Sequence, residues 1–311
     1  MKLRRLGASG LKVSEVGLGC NNFGMRIDEK QTAAVVDAAI EAGITLFDTA
    51  DIYGGTKSEE FLGKALGKKR KQVVLATKFG MRIGDDETRK GGSRRWILRA
   101  VEDSLQRLGT DWIDLYQFHS PDPETPIDET LRALDDLISQ GKVRYIGNSN
   151  FAGWQIADAD WTARIVGQSR FVSAQNQFSL LERRVEYEVL PACERFGLGF
   201  LPFFPLASGL LSGKYKRGEA PPEGTRLAAW GPRGAQALSD KNFDKVEKLT
   251  AWAAERDHSL LDLAFAWLLG HPVVSSVIAG ATSAAQVQAN AATAEWRLTP
   301  AEVAEVGKLI S

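Results

Sequence analysis

Eight short β-rich apolar runs alternating with segments of helical period predict an α/β chain built as a single closed (β/α)8 TIM barrel. The spacing supports one barrel. Successive strand ends fall 26 to 41 residues apart through the seventh and 75 apart at the last. A doubly wound dinucleotide fold would carry G-x-G-x-x-G after its first strand; here that strand runs into GLGCNN, with Asn22 where the third glycine belongs. GKALGK (63–68) is no Walker loop either, having the wrong spacing and no Ser or Thr.

In chain order, a short N-terminal hairpin (2–6 and 11–16) comes first, and its second arm runs into strand one, VSEVGLG (13–19). The amphipathic segment 29–42 leads to TLFD (45–48), and 58–66 leads to VVLATK (73–78). Segment 94–108 precedes WIDLYQF (112–118), and 128–140 precedes VRYIGNS (143–149). FVSAQ (171–175), the helical segment 187–196 and GFLPF (199–203) complete seven strands. The 75-residue step holds a long insertion after strand seven: a loop rich in Gly, Pro and charge (208–240), then helices over 241–255 and 259–269. VSSVI (274–278) is strand eight, and an extra C-terminal helix ends the chain. No composition break divides it, so residues 1–311 read as one domain.

The 311 residues are 44% hydrophobic and 25% charged, which excludes a disordered or fibrous protein. Lys+Arg 39 balances Asp+Glu 39, leaving no global field for nucleic acid or an acidic membrane; a small molecule is the expected partner. Cys20 and Cys193 give no disulfide framework, and three scattered His with two Cys give no metal-ligand cluster. The basic N-terminus lacks an apolar h-region and no run of 18 apolar residues occurs, so the expected location is the cytoplasm. Whether the chain associates with copies of itself is open.

A barrel carries its active site at the C-terminal strand ends, where Asp48, Lys78, His119, Ser149, Asn150 and Gln175 all fall, with Tyr53 five residues beyond Asp48. Taken singly, such residues are ordinary helix caps, snorkelling lysines and wet-edged core aromatics. Together they are more specific. GITLFDTADIYG (43–54), ATKFG (76–80) and LGTDWIDLYQFHSPD (108–122) resemble the catalytic segments of the aldo-keto reductases. GKVRYIGNSN (141–150) and PLASGLLSGKY (205–215) are similar to that family's cofactor-binding segments, and the resemblance covers nearly the whole chain.

The resemblance implies carbonyl reduction with a hydride from a nicotinamide cofactor, reversible in principle, on a small-molecule carbonyl or alcohol. It makes Tyr53 the general acid and Lys78 the ammonium that lowers its pKa. Asp48 then holds Lys78, and His119 donates to the substrate oxygen. Cofactor contacts are implied at Gly19, Cys20, Asn21 and Asp48, and at Ser149, Asn150 and Gln175 for the carboxamide. Phe203 matches the stacking position, and Phe204 replaces a common Ser. Pro205, Leu206, Ala207, Gly209, Leu211 and Lys214 match the loop over the pyrophosphate. Gly280, Thr282, Ser283, Gln286 and Asn290 match the adenosine end; no cation lies in that stretch, so Arg226 of PPEGTR (221–226) is the candidate for a 2′-phosphate. NADPH is favoured, with NADH the alternative.

Asn22, Phe23 and Met25, Met81 with Arg82, and Trp230 are candidates to line the substrate pocket, which does not distinguish aldehydes, aryl ketones and sugars. His258 and His271, in or after the late helices, read as structural. SGKY, GATS and the insertion resemble the branch related to potassium-channel β subunits, which leaves a rival: a cofactor-binding regulatory or redox-sensing subunit. The channel subunits depart from His at the His119 position, which speaks for the enzyme. An unrelated barrel acting on phosphorylated sugars would have no need of Phe203 or the PLASG loop.

Overall fold

The computed structural model describes residues 1–310. The hairpin pairs β1 (Leu3–Arg5) antiparallel to β2 (Lys12–Ser14). The eight barrel strands, with α1–α6 in the crossovers, begin with β3 (Val16–Gly19), α1 (Glu29–Glu41), β4 (Leu46–Asp48), α2 (Lys57–Leu66), β5 (Val74–Phe79) and α3 (Arg94–Leu108). They continue with β6 (Ile113–Phe118), α4 (Ile127–Ser139), β7 (Val143–Ser149), α5 (Gly153–Val166), β8 (Ser173–Gln175), α6 (Val189–Phe196) and β9 (Gly199–Phe200). The insertion carries α7 (Arg226–Ala229) and α8 (Pro232–Ala237), followed by α9 (Asp240–Ala254) and α10 (Leu260–Leu269). Then come β10 (Val277–Gly280), α11 (Ala284–Ala292) and α12 (Pro300–Leu309).

All eight strands from β3 to β10 pair in parallel, in the order β10-β3-β4-β5-β6-β7-β8-β9. The ring closes where Phe200 N donates to Val273 O (2.8 Å), Ser275 N to Phe200 O (2.9 Å) and Ile278 N to Pro202 O (3.1 Å). The architecture is the expected (β/α)8 barrel with its hairpin, insertion and final helix. Strand one is divided at Glu15, a bend whose N–H donates to Lys2 O of the hairpin (3.1 Å) while its C=O accepts from Val277 N of the barrel (2.8 Å). Strand seven is two residues instead of five: Pro202 has no N–H for a ladder, and Phe203 turns to bridge Gln177. Strand eight lies further along, at Val277–Gly280, while Val274 only bridges Phe200. Helices α5 and α11 lie beyond those read from periodicity. On α5, Ile156, Ala159 and Ala163 are buried while Trp154, Trp161 and Ile165 are exposed, so apolar residues surround it and blur the pattern.

Alternation along the strands sorts the barrel interior into layers. Leu46, Ala76, Leu115, Leu201 and Ile278 form an apolar layer, and Leu6 and Val13 of the hairpin plug it from below. Two residues further along the same strands the interior turns polar, at Asp48, Lys78 and Gln117. Among the described residues, no helix is long and apolar enough to cross a membrane.

Candidate active site

The polar layer is organised by the Asp48 carboxylate at the end of β4. Its Oδ2 accepts from Lys78 Nζ (2.6 Å), and its Oδ1 accepts from Gln117 Nε2 and Gln175 Nε2 (2.9 Å each). Lys78 Nζ also donates to Thr49 O (3.0 Å) and is fully buried. Desolvation works against this ammonium, but Asp48 and the Tyr53 phenol outweigh it, and its pKa stands above the ordinary lysine value. Register explains the convergence: Asp48 lies beside Ala76, Lys78 beside Gln117, and Ser149 beside Gln175.

Tyr53 hangs over this layer on the turn after β4. Asp51 N donates to Lys78 O (3.2 Å), Tyr53 N to Ala50 O and Ser58 N to Tyr53 O (3.2 Å each), which pins the turn to β5 and to the start of α2. Lys78 Nζ stands 5.2 Å from the Tyr53 ring centroid. The phenol reaches the cavity wall, yet protein packs closely around it: desolvation raises its pKa above the ordinary value, and the Lys78 charge pulls it down by less. Lys78 thus acts in the expected sense, and burial outweighs it. His119 meets Tyr53 edge to face, ring centroids 5.8 Å apart, and its backbone N–H donates to Phe79 O (2.8 Å). Burial and then the Lys78 charge push His119 down to about 3, so the imidazole is neutral near pH 7. Asn150, at φ +61°, donates from Nδ2 to His119 O (2.9 Å), and Ser149 Oγ donates to Gln175 O (2.8 Å).

A cavity of about 700 Å³ opens from this floor. Of the residues named from sequence, it is lined by Gly19, Cys20, Asn21, Asn22, Asp48, Tyr53, His119, Ser149, Asn150, Gln175 and Phe203 to Leu206. Gly209, Lys214, Arg226, Gly280, Thr282, Gln286 and Asn290 line it as well. Lys78 lies beneath the surface. Ala207, Leu211 and Ser283 do not line the cavity: Leu211 is core, and Ser283 Oγ caps α11 by accepting from Gln286 N. Of the substrate candidates, Phe23 is core, while Met25 and Met81 are solvent-exposed outside the cavity. Trp230 packs edge-on against Phe204, with centroids 6.4 Å apart. Arg82 is spent on Glu87 and on loop carbonyls. His258 stacks on Trp296 at 3.9 Å, and His271 Nδ1 bonds Trp267 O, both away from the cavity.

The insertion crosses the cavity and is fastened at two points. Arg26 donates to Gly224 O (2.5 Å), and Arg226 donates to Asn22 Oδ1 (3.1 Å) while lying 5.3 Å over the Phe204 ring. Burial, and then the nearby Arg26, push the Arg226 pKa down. Among the described residues, Arg26, Lys214 and Arg226 line one cavity without a carboxylate partner, a donor set suited to phosphates. Phe204, Ala207, Ser208 and Gly209 all take positive φ, and a Cβ at Gly209 would stand 2.8 Å from Lys214 Nζ. The lining therefore suits a dinucleotide: the polar floor, the three cations, and Thr282, Gln286 and Asn290 before and along α11 share one cavity. Arg26, Glu223 and Thr225 escaped sequence reasoning because only the folding of the insertion over the cavity brings them together. Gln117 was legible in principle, two residues along β6 from the inward Leu115.

A sequence model described as the Aldo/keto reductase family matches residues 15–311. The chain is 40% identical to the uncharacterized oxidoreductase YrpG of Bacillus subtilis (strain 168), over 93% of this chain and 89% of that protein. It is 37% identical to a probable voltage-gated potassium channel subunit beta of Oryza sativa subsp. japonica, covering 93% and 90% of the two chains. It is 36% identical to the versiconal hemiacetal acetate reductase of Aspergillus parasiticus, covering 97% and 95%. With this match, the barrel and the polar layer in place, the chain belongs to the aldo/keto reductase family of oxidoreductases.

Proposed function

We propose that the protein reduces an aldehyde or ketone to the alcohol, with NADPH as hydride donor and Tyr53 as general acid. The observation that carries this reading is the convergence of the Tyr53 phenol, the Lys78–Asp48 pair and a neutral His119 at one end of a dinucleotide-sized cavity. Ser149, Asn150 and Gln175 would hold a nicotinamide beside the Phe203 ring, and that group would supply the hydride when bound. Tyr53 gives its proton to the developing alkoxide, a transfer typically worth ~10²–10⁴-fold. Its raised pKa keeps it protonated across the neutral range, and Lys78 stabilises the phenolate left behind. His119, neutral, donates one N–H to the carbonyl oxygen and orients it. Lys214 and Arg226 serve the phosphates, and Gln286 and Asn290 the adenosine end.

Loss of NADPH absorbance over a panel of aldehydes, ketones and sugars tests this reading. Tyr53→Phe is expected to lower kcat about 10³-fold while leaving the NADPH Kd near that of the wild type, because the hydroxyl acts chiefly in the transition state. A variant retaining most activity refutes the acid assignment. The pH profile gives an independent check: with His119 at about 3, reduction has no imidazole limb as pH falls from 8 to 5. A limb near 6.5 would show His119 titrating in the working range. The Oryza sativa relative named as a probable channel subunit beta motivates the second reading, a cofactor-binding subunit with incidental turnover. Tight NADPH binding with no turnover across the panel would favour it.

A further inference from the structure

Gln117 is fully buried in the polar layer, and the proposed reaction assigns it no task. The interior position before it on β6 is Leu115, and a primary amide sealed among such residues costs free energy unless its bonds are made. Here they are made. Gln117 Nε2 donates to Asp48 Oδ1 (2.9 Å), and its Oε1 accepts from Gln175 Nε2 (3.1 Å), which also donates to Asp48 Oδ1 (2.9 Å). The neighbouring strand leaves space for this reach: a Cβ at Gly147 would stand 3.3 Å from Gln117 Cγ and 2.3 Å from Ser173 Oγ. An ionised carboxylate only accepts, so both amides must turn their NH2 groups toward Asp48. Gln175 then has both N–H groups committed below and only its oxygen to offer the cavity.

We propose that Gln117 is a positioning residue: it fixes the Asp48 carboxylate under Lys78 and joins it to Gln175, so that the proton-donating and cofactor-facing halves of the site are held as one unit. This rests on the roles proposed above for Tyr53 and Gln175. The physical effect is on charge. With three donors around Asp48, part of its negative charge is met by amides, and less of it opposes the influence of Lys78 on the Tyr53 phenol.

Gln117→Met keeps the side-chain length and removes both bonds. Tyrosinate absorbance, taken for each protein minus its Tyr53→Phe counterpart with no cofactor added, is expected to show the Tyr53 pKa about one unit higher. In the same variant kcat falls about tenfold. The NADPH Kd, read by tryptophan fluorescence, rises about threefold because Gln175 keeps one of two anchors. Gln117→Glu separates positioning from packing. Protonated, the new carboxyl donates to Asp48 and accepts from Gln175; ionised, it faces a second carboxylate. Its activity therefore recovers as pH falls, while that of Gln117→Met does not. A wild-type phenol titration in Gln117→Met, or one shared pH profile for the two variants, overturns the proposal. Should Gln117→Met not fold, the Gln117→Glu profile decides. A wild-type protein that oxidises no NADPH with any carbonyl sinks the reductase reading instead, while the cofactor-free titration still decides on Gln117.

Discussion

Two layers of the barrel interior stand two residues apart on the same strands, and they are built on opposite principles. The lower layer, Leu46, Ala76 and Leu115 over the hairpin's Leu6 and Val13, excludes water and contains nothing that titrates. The upper layer, Asp48, Lys78 and Gln117, is equally buried, yet each side chain is polar and tied to another. In the lower layer the stabilisation comes from apolar area removed from water, and a neighbour can relax into a small loss. In the upper layer it comes from complete mutual pairing, and loss of one partner strands a buried charge. The barrel thus sets its buried polar groups directly on an apolar layer that keeps water from them below.

Lys78→Met attacks the upper layer at its only ammonium and has the largest expected effect. Tyr53 loses the charge that stabilises its phenolate while Asp48 remains to oppose it, so kcat falls about 10³-fold. Breaking the buried pair also costs about 3–5 kcal/mol of stability, measured by denaturant unfolding. Unchanged turnover would mean that Lys78 serves structure alone. Leu115→Ala makes the matching cut in the lower layer: a stability loss of about 2–5 kcal/mol, with kcat and the NADPH Kd near wild type. A comparable loss of kcat would show that the two layers are not separable.

The same contrast explains what could be read beforehand. Strands and their inward residues obey a two-residue alternation, so Asp48, Lys78 and Gln175 stood at strand ends in the sequence and converge in the fold. Loops obey no such period. Phe23 folds inward to the core through its bridge to Ile27, and Met25 points to solvent at 62% exposure, though both followed strand one as closely as Asn22, which lines the cavity. The insertion was visible as an irregularity of length, but its two fastenings join residues about 200 positions apart, Arg26 to Gly224 and Arg226 to Asn22, and no local signal encodes them. Strand eight lies at Val277–Gly280 and not at 274–278 because its ladder partner β3 begins only at Val16, opposite Val277, while Ser275 is held by Phe200 O.

The insertion over the cavity supplies the smallest expected effect and the sharpest test of the cations that line it. Arg226 lines the cavity with Arg26 and Lys214, and both burial and Arg26 disfavour its charge. A phosphate monoester would relieve that repulsion and accept bidentately from a guanidinium. Arg226→Ala is therefore expected to raise the NADPH Kd about tenfold and the NADH Kd much less, by fluorescence titration of each. The substitution also removes the bond to Asn22, but a loosened insertion weakens both nucleotides alike. The ratio of the two losses, not either one, reports on the 2′-phosphate, and equal losses would make Arg226 a fastening of the insertion with no 2′-phosphate role.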